Sequence, residues 1–239
     1  MAAADEVRPA GAGDKPVVQR WDTGRVEAFS DGVFAIAITL LVLDIKVTDF
    51  EHLRKALANE WPAYLAYVTS FTTVGSVWLA HHNLFSRLRY IDATLLRLNL
   101  LLLMATAFLP FPTSVLAEAL HTGESAERTA VAFYGAAALV IELLLRRAVL
   151  YAESRPDLEF GADTAPTVAT EPRPHAKGWR AWVSTALYVM AIVFGVFVFP
   201  RIAVIGYLVV GIRSVFVVGS EGRLSFDFRF LVLKRWSRS

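Results

Sequence analysis

Two neighbouring apolar segments of this sequence contain polar side chains that could bind an ion, transfer a proton or hold helices together. The first, RVEAFSDGVFAIAITLLVLDI, places Ser30 and Asp31 just before an uninterrupted apolar run. The second, SVWLAHHNLFSRL, contains Trp78, His81 and Asn83. A charged group inside an apolar helix is costly and usually faces a bundle interior or a water-filled cavity. Asp31 is therefore predicted to have a partner on a neighbouring helix.

The depths of the two polar groups agree if the two helices run in opposite directions. Asp31 lies six residues, about 9 Å along a helix, from Arg25, and His81 lies the same distance from Arg87. We predict a hydrogen-bonded cluster that joins Ser30 and Asp31 to His81, Asn83 or Trp78. The alternative is that the histidines and Asn83 lie among lipid headgroups and bond to water.

Metal binding and nucleophilic catalysis are poorly supported by the same residues. His81 and His82 are adjacent and point about 100° apart on a helix, whereas zinc-binding helices place two histidines four residues apart. No Gly-x-Ser-x-Gly turn accompanies the serine, histidine and aspartate. The sequence has no cysteine, which excludes thiolate ligands and nucleophiles. We expect no resident metal, no cofactor and no enzymatic activity.

The composition is that of a membrane protein. Of the 239 residues, 55% are hydrophobic, and they occur in long blocks. Blocks long enough to cross about 30 Å of hydrocarbon as helices number six. The predicted spans are Val26–Ile45, Trp61–Phe85, Leu95–Leu116, Thr129–Leu145, Trp182–Phe199 and Ile202–Val218.

The basic residues predict how these spans are oriented. Most of the 24 Lys and Arg residues fall in the N-terminal arm, the second and fourth connections and the C-terminal region, which places both termini in the cytoplasm. They do not form a single patch, so no nucleic-acid partner is expected. The predicted organisation is a disordered arm at 1–20, an all-α six-helix domain at 21–222 with a cytoplasmic loop at 151–178, and a basic tail at 223–239.

Beyond Asp31, the first helix has an apolar stripe with one hydroxyl. Ile36, Thr39 and Leu43 share this stripe because their spacing is i, i+3, i+7, whereas Ser30 and Asp31 point about 100° or more away from it. The stripe could face lipid or a packed core, with the Thr39 hydroxyl bonded to the backbone one turn earlier. Alternatively, it could line a pore.

The motif Arg25-x-x-x-Phe29-Ser30-Asp31, followed by GVFAIAITLLVL and by WLAHHNLF on the second span, resembles the bacterial branch of the lysosomal potassium channel family, transmembrane protein 175. The resemblance implies a leak-type, potassium-selective cation channel in the bacterial inner membrane, built as a homotetramer of six-span chains. It also implies that the first helix of each chain lines the pore.

The same resemblance assigns roles to individual residues. It places Ile36 at the hydrophobic constriction, Leu43 at a further apolar ring and Thr39 at the hydroxyl layer associated with potassium selectivity. It assigns the anchoring of the pore helix to Arg25, Phe29, Ser30, Asp31, Trp78, His81 and Asn83. Position 36 has isoleucine where some bacterial members have leucine, and this difference in side-chain shape affects the width of the constriction.

Physical arguments agree with a pore built from several copies. One helix per chain cannot enclose a channel, and a narrow apolar ring excludes ions by dewetting. The sequence has no TVGYG-like stretch and so cannot use a carbonyl-lined filter. The alternative function is a proton-coupled secondary transporter in which Asp31 and a histidine of the second span relay protons, although the sequence has no convincing internal repeat.

Overall fold

The computed structural model describes residues 21–47, 49–158, 185–193 and 200–221, which form a bundle of helices and one pair of two-residue strands. The first helix, α1, covers Thr23–Leu40 and continues as a 3-10 segment, Leu41–Asp44. The other elements are α2 (Leu53–Asn59), α3 (Trp61–Phe85), α4 (Ala93–Phe108), α5 (Pro110–Ala119), α6 (Glu124–Glu153), a 3-10 turn (Pro156–Leu158), α7 (185–193) and α8 (Pro200–Glu221), with strands β1 (Trp21–Asp22) and β2 (Tyr90–Ile91).

Aspartate caps define where two of the helices begin. A carboxylate oxygen of Asp22 accepts a hydrogen bond from the Gly24 N–H at 2.9 Å, and Asp92 accepts one from the Leu95 N–H at 2.9 Å. The residues beside these caps form the antiparallel strand pair, with Trp21 opposite Ile91. This pairing attaches the start of α1 to the α3–α4 connection, and it is a small departure from the predicted all-α architecture.

The predicted third span, Leu95–Leu116, is interrupted in the structure. The helix stops at Phe108 and resumes at Pro110, because proline has no backbone N–H and its ring clashes with the preceding turn. The two halves together still form a 27-residue apolar stretch, Ala93–Ala119, that is long enough to cross a membrane. The single predicted span is therefore a pair of helices, α4 and α5.

Three of the described helical stretches have both the length and the composition to cross a membrane, namely Thr23–Asp44, Ala93–Ala119 and Glu124–Glu153. The second predicted span coincides with α3, 25 residues long, but its hydroxyl and histidine side chains lower its hydropathy. The six-span count therefore stays a prediction. Of the fifth predicted span only 185–193 is described, and the predicted arm, the tail at 223–239 and most of the predicted loop lie outside the described residues.

Other helix boundaries also differ from the sequence-based ones. The helix predicted at Thr129–Leu145 is the longer α6, whose 30 residues include the end of the connection between the third and fourth predicted spans and the start of the predicted cytoplasmic loop. The connection between the first and second predicted spans, residues 46–60, contains the short helix α2. Helix α6 extends past its apolar block because charged residues such as Glu124 and Glu127 are compatible with helical backbone.

The interior of the bundle is centred on α3, which packs against α1, α5, α6 and α8. The Ser70 hydroxyl on α3 lies 2.7 Å from the Thr113 hydroxyl of α5 and 3.2 Å from the Tyr134 hydroxyl of α6. These interhelical hydrogen bonds satisfy polar groups that water does not reach. Helix α1 lies at the edge of the bundle against α3 and α4.

Candidate functional site

A buried polar chain joins the inner face of α1 to α3 and α4. The His81 Nε2 lies 2.9 Å from the Asn99 Oδ1, and the Asn99 Nδ2 donates to the Ser30 hydroxyl at 3.0 Å. The Ser30 hydroxyl then donates to the Val26 carbonyl at 2.8 Å. An amide oxygen only accepts, so His81 carries its hydrogen on Nε2, and the hydrogen bonds all run in one direction along the chain.

Aromatic packing holds the His81 ring in this position. The ring stacks on Phe85 at a centroid distance of 4.1 Å and is tilted against Phe34 at 5.3 Å. All three side chains are buried. A buried polar group that has its hydrogen-bond partners is stabilising, whereas the same group without them is costly. The chain from His81 to Ser30 therefore selects one rotational position of α1 against its neighbours.

A second polar set lies beside the first and is half-buried. The Trp78 Nε1 donates to the Asp31 Oδ1 at 2.8 Å, and the His82 Nδ1 lies 3.0 Å from the Glu27 Oε1. The rings of Trp78 and His82 stack at 6.0 Å. Both contacts join α1 to α3, and their α1 residues, Glu27 and Asp31, lie about one helical turn apart. Asp31 therefore has its partner on a neighbouring helix.

The opposite face of α1 is uncovered by the rest of the chain. The exposed fractions of Ile36 and Leu43 are 61% and 65%, and Thr39 between them is also exposed. The Thr39 hydroxyl donates to the Ile36 carbonyl at 2.9 Å. Because its hydrogen is used in this way, the lone pairs of the Thr39 oxygen stay available to accept from water or to contact a cation.

The structure brings together four of the seven predicted anchoring residues: Ser30, Asp31, Trp78 and His81. Phe29 is 58% exposed, because it points to the uncovered face of α1. Arg25 is also exposed and makes no hydrogen bond or ion pair within the described residues. The half-buried Asn83 uses its backbone carbonyl to accept from Ser86, and no described side-chain hydrogen bond links it to α1.

Three members of the polar sets, Asn99, Glu27 and His82, were missing from the sequence-based prediction. Asn99 was overlooked because it belongs to the third span, although an amide in the apolar run LLRLNLLLL needs a buried partner. Glu27 was overlooked because it lies near the predicted membrane boundary. A search of every predicted span for isolated polar residues at the depth of Ser30 would have found Asn99.

Comparisons with known proteins match the part of the chain that contains α3, α4 and most of α1. A family model described as endosomal/lysosomal potassium channel TMEM175 matches residues 25–110. Over 116 residues, 47% of this chain, the sequence is 52% identical to a Streptomyces collinus protein named as a potassium channel. The match spans little more than half, 56%, of that relative.

A second relative and one solved structure extend the comparison. The sequence is 45% identical over 97 residues to the endosomal/lysosomal proton channel TMEM175 of Mus musculus, a match that covers 36% of this chain and 19% of that protein. The crystal structure of a lysosomal potassium-selective channel TMEM175 homolog from Chamaesiphon minutus superposes with a TM-score of 0.68 at 34% identity. That match covers 82% of this chain and 98% of the crystallised one.

Proposed function

This chain belongs to the TMEM175 family, and from that premise we propose that it is a potassium-selective leak channel whose pore is lined by α1. The observation that carries the proposal is the uncovered stripe of Ile36, Thr39 and Leu43 on α1, whose most apolar window is 22% buried, against 44% and 39% for the other two candidate membrane spans. An apolar strip with a single hydroxyl suits a narrow ion path better than a binding pocket for an organic solute.

Each residue of the stripe has a physical task in the proposed pore. A ring of Ile36 side chains, with Leu43 farther out, forms an apolar constriction that conducts only when it is wide enough to hold water. A ring of Thr39 hydroxyl oxygens replaces part of the hydration shell of potassium. Potassium holds its water less tightly than sodium, so this partial replacement favours potassium. No carbonyl-lined loop is needed.

The proposal includes the assembly and the membrane setting. One α1 cannot enclose a path, so four chains contribute one helix each around a common axis. Each chain spans the bacterial inner membrane six times with both termini in the cytoplasm, as its basic residues predict. The polar chain from His81 to Ser30 and the bond from Trp78 to Asp31 position α1 so that Ile36, Thr39 and Leu43 face the axis.

The direct test is electrical. The purified protein is reconstituted into liposomes, opposed potassium and sodium gradients are imposed, and the reversal potential is measured. We expect the reversal potential to approach the potassium equilibrium potential. A reversal potential near zero, or no current at any voltage, contradicts the proposal. Empty liposomes and liposomes with an unrelated helical membrane protein serve as controls.

Proton conduction is the second candidate, because the Mus musculus relative is named as a proton channel. The transporter alternative routes protons through Asp31 and His81. These side chains bond to different partners, Trp78 and Asn99, and no hydrogen bond joins them. A pH-sensitive dye inside the same liposomes distinguishes a proton channel from a proton-coupled transporter. A channel passes protons down a proton gradient alone, whereas a coupled transporter moves them only together with a second solute.

A further inference from the structure

An apolar groove lies between α7 and α8. Its volume is about 650 Å³, and every residue that the structure describes along it is apolar. Its lining includes Met190 and Val193 of α7 and Ile202, Ile205 and Val209 of α8, all of which are exposed. A cavity of this volume is large enough to hold part of an organic ligand. Because its walls have no polar side chain, the part of the ligand that it holds must be hydrocarbon.

The groove belongs to a different part of the bundle from the uncovered face of α1. The main contacts of α8 are with α3 and α6, whereas those of α1 are with α3 and α4. The residues that line the groove all come from α7 and α8. The groove is therefore separate from the proposed ion path.

An ion pair holds an arginine at the start of α8. The Arg201 Nε and Nη2 both donate to the Glu127 Oε1, at 3.1 and 2.7 Å. The Glu127 side chain is only 5% exposed, whereas that of Arg201 is 63% exposed. An arginine has five N–H donors in a fixed planar arrangement, so the others remain for a second acceptor. The buried carboxylate thus fixes a guanidinium that can still bind an anion.

The ion pair and the groove lie at successive depths of one membrane leaflet. Glu127 and Arg201 lie in the first turns of α6 and α8, which both begin on the predicted outer side. Arg201 is four residues from Ile205 and so lies on the same side of α8 as one edge of the groove. From Ile202 to Val210 the groove follows α8 for eight residues, about 12 Å. One leaflet of hydrocarbon is about 15 Å thick.

We infer that an outer-leaflet phospholipid binds here, with its phosphate on Arg201 and one acyl chain in the groove between α7 and α8. Guanidinium and phosphate form strong charge-assisted hydrogen bonds, and basic residues beside membrane helices bind lipid headgroups. The occupant is identified by charge at one end of the site and by the length of the apolar part at the other. The inference does not depend on ion conduction, since it requires only that the chain lie in a bilayer.

Lipid binding to the purified protein tests the site. The protein is delipidated in a non-ionic detergent and titrated with phosphatidylglycerol, and native mass spectrometry measures the bound lipid. Diacylglycerol with the same acyl chains, titrated in parallel, lacks the phosphate and therefore measures the contribution of the groove alone. The same spectra report the number of chains in the complex.

Two variants address the two ends of the site, each with a matched control. Val209→Trp fills the groove from an exposed position, and its control is Ile212→Trp, at an exposed position of α8 outside the groove. Arg201→Gln removes the charge. Its control is Arg128→Gln, because Arg128 also pairs with a glutamate in the first turn of α6.

We expect the unmutated protein to bind phosphatidylglycerol saturably and more tightly than diacylglycerol. Val209→Trp should abolish this binding, and Arg201→Gln should weaken it about tenfold or more, as for the loss of a hydrogen bond to a charged group. The controls Ile212→Trp and Arg128→Gln should bind like the unmutated protein. Because Val209→Trp leaves the ion pair intact, its result does not depend on how the chain tolerates an unpaired Glu127.

Four results would overturn the inference. The first is equal affinity for diacylglycerol, which excludes recognition of the phosphate. The second is unchanged binding in either variant, and the third is an equal loss in a variant and its control. The fourth is a Val209→Trp complex that separates into single chains, because the groove would then be occupied by a second copy of the protein.

Discussion

The two faces of α1 differ in what their polar groups have to do. The inner face carries Ser30, which is fully buried and bonded through Asn99 to His81 on two other helices. The outer face carries Thr39, whose only described partner is the Ile36 carbonyl of its own helix. A polar group that holds helices together needs partners on other helices. A polar group proposed to meet a passing ion must keep its acceptor sites free.

Because of this difference, we expect the inner face to affect the stability of the chain and the outer face to affect ion permeation. Substitutions on the inner face should change the free energy of unfolding, because they leave buried donors and acceptors without partners. Substitutions on the outer face should change conductance or ion preference with little effect on the folded chain, since few contacts within the chain are lost. Variants on each face, with a matched control, test whether the two effects are independent.

The largest effect is expected at Asn99, the central member of the buried chain. Asn99→Ala leaves the His81 Nε2 and the Ser30 hydroxyl without their partner and should lower the free energy of unfolding by about 1–3 kcal/mol. Unfolding in mixed micelles with a rising fraction of denaturing detergent measures the change. The matched control is Asn83→Ala, because Asn83 is half-buried and makes no described side-chain bond to α1. Equal losses in the two variants would contradict the role of the buried chain.

On the outer face, the largest effect is expected at Ile36. Ile36→Asn places a polar side chain in the proposed apolar constriction, which should then hold water and conduct more than the unmutated protein. Single-channel recordings in a planar bilayer measure the conductance. Leu100→Asn, at an exposed apolar position of α4, is the matched control and should leave conductance unchanged. An unchanged conductance in Ile36→Asn would show that Ile36 does not line the pore.

The contact between Asp31 and Trp78 tests whether the half-buried polar set belongs with the inner face. Asp31→Ala and Trp78→Phe, combined in a double-mutant cycle, should give a coupling energy of about 1 kcal/mol in unfolding. Asp31→Ala should also lower the yield of the assembled complex more than it alters ion preference. A normal yield with an altered reversal potential would place Asp31 in the ion path instead.

The smallest effect is expected at Thr39. Thr39→Val keeps the shape of the side chain and removes its oxygen, so the preference for potassium over sodium should fall while conductance persists. Thr39→Ser, which keeps the hydroxyl, should retain most of the preference. The measurement is the reversal potential under opposed potassium and sodium gradients. Identical reversal potentials for the valine and serine variants would exclude the hydroxyl from ion selection.

Part of this structure was predictable because its signals are local. The apolar run after Asp31 predicts a long first helix, and an acid at its start predicts a partner on another helix. The partner set named from the sequence included Trp78, which the structure places 2.8 Å from Asp31. The stripe of Ile36, Thr39 and Leu43 follows from helical periodicity, although the helix tightens to a 3-10 segment at Leu41 before it reaches Leu43.

The rest depended on which helices are neighbours. Sequence spacing places side chains on faces of one helix and does not say which face meets which partner. Asn99 lies sixty-nine residues from Ser30, so its hydrogen bond to Ser30 could be recognised only from the packing of α4 beside α1. Phe29 belongs to the same motif as Ser30, yet it points to the uncovered side, because consecutive residues on a helix diverge by about 100°.

Composition and periodicity, which are properties of the chain alone, were enough to predict an apolar helical protein with a polar segment at the start of its first helix. The pairing of the polar groups and the uncovered face of α1 became known from the packing of the helices. Burial and hydrogen bonding depend on contacts between segments that are distant in the sequence. Because α3 and α4 pack against one side of α1, its other side is free to meet another copy or an ion.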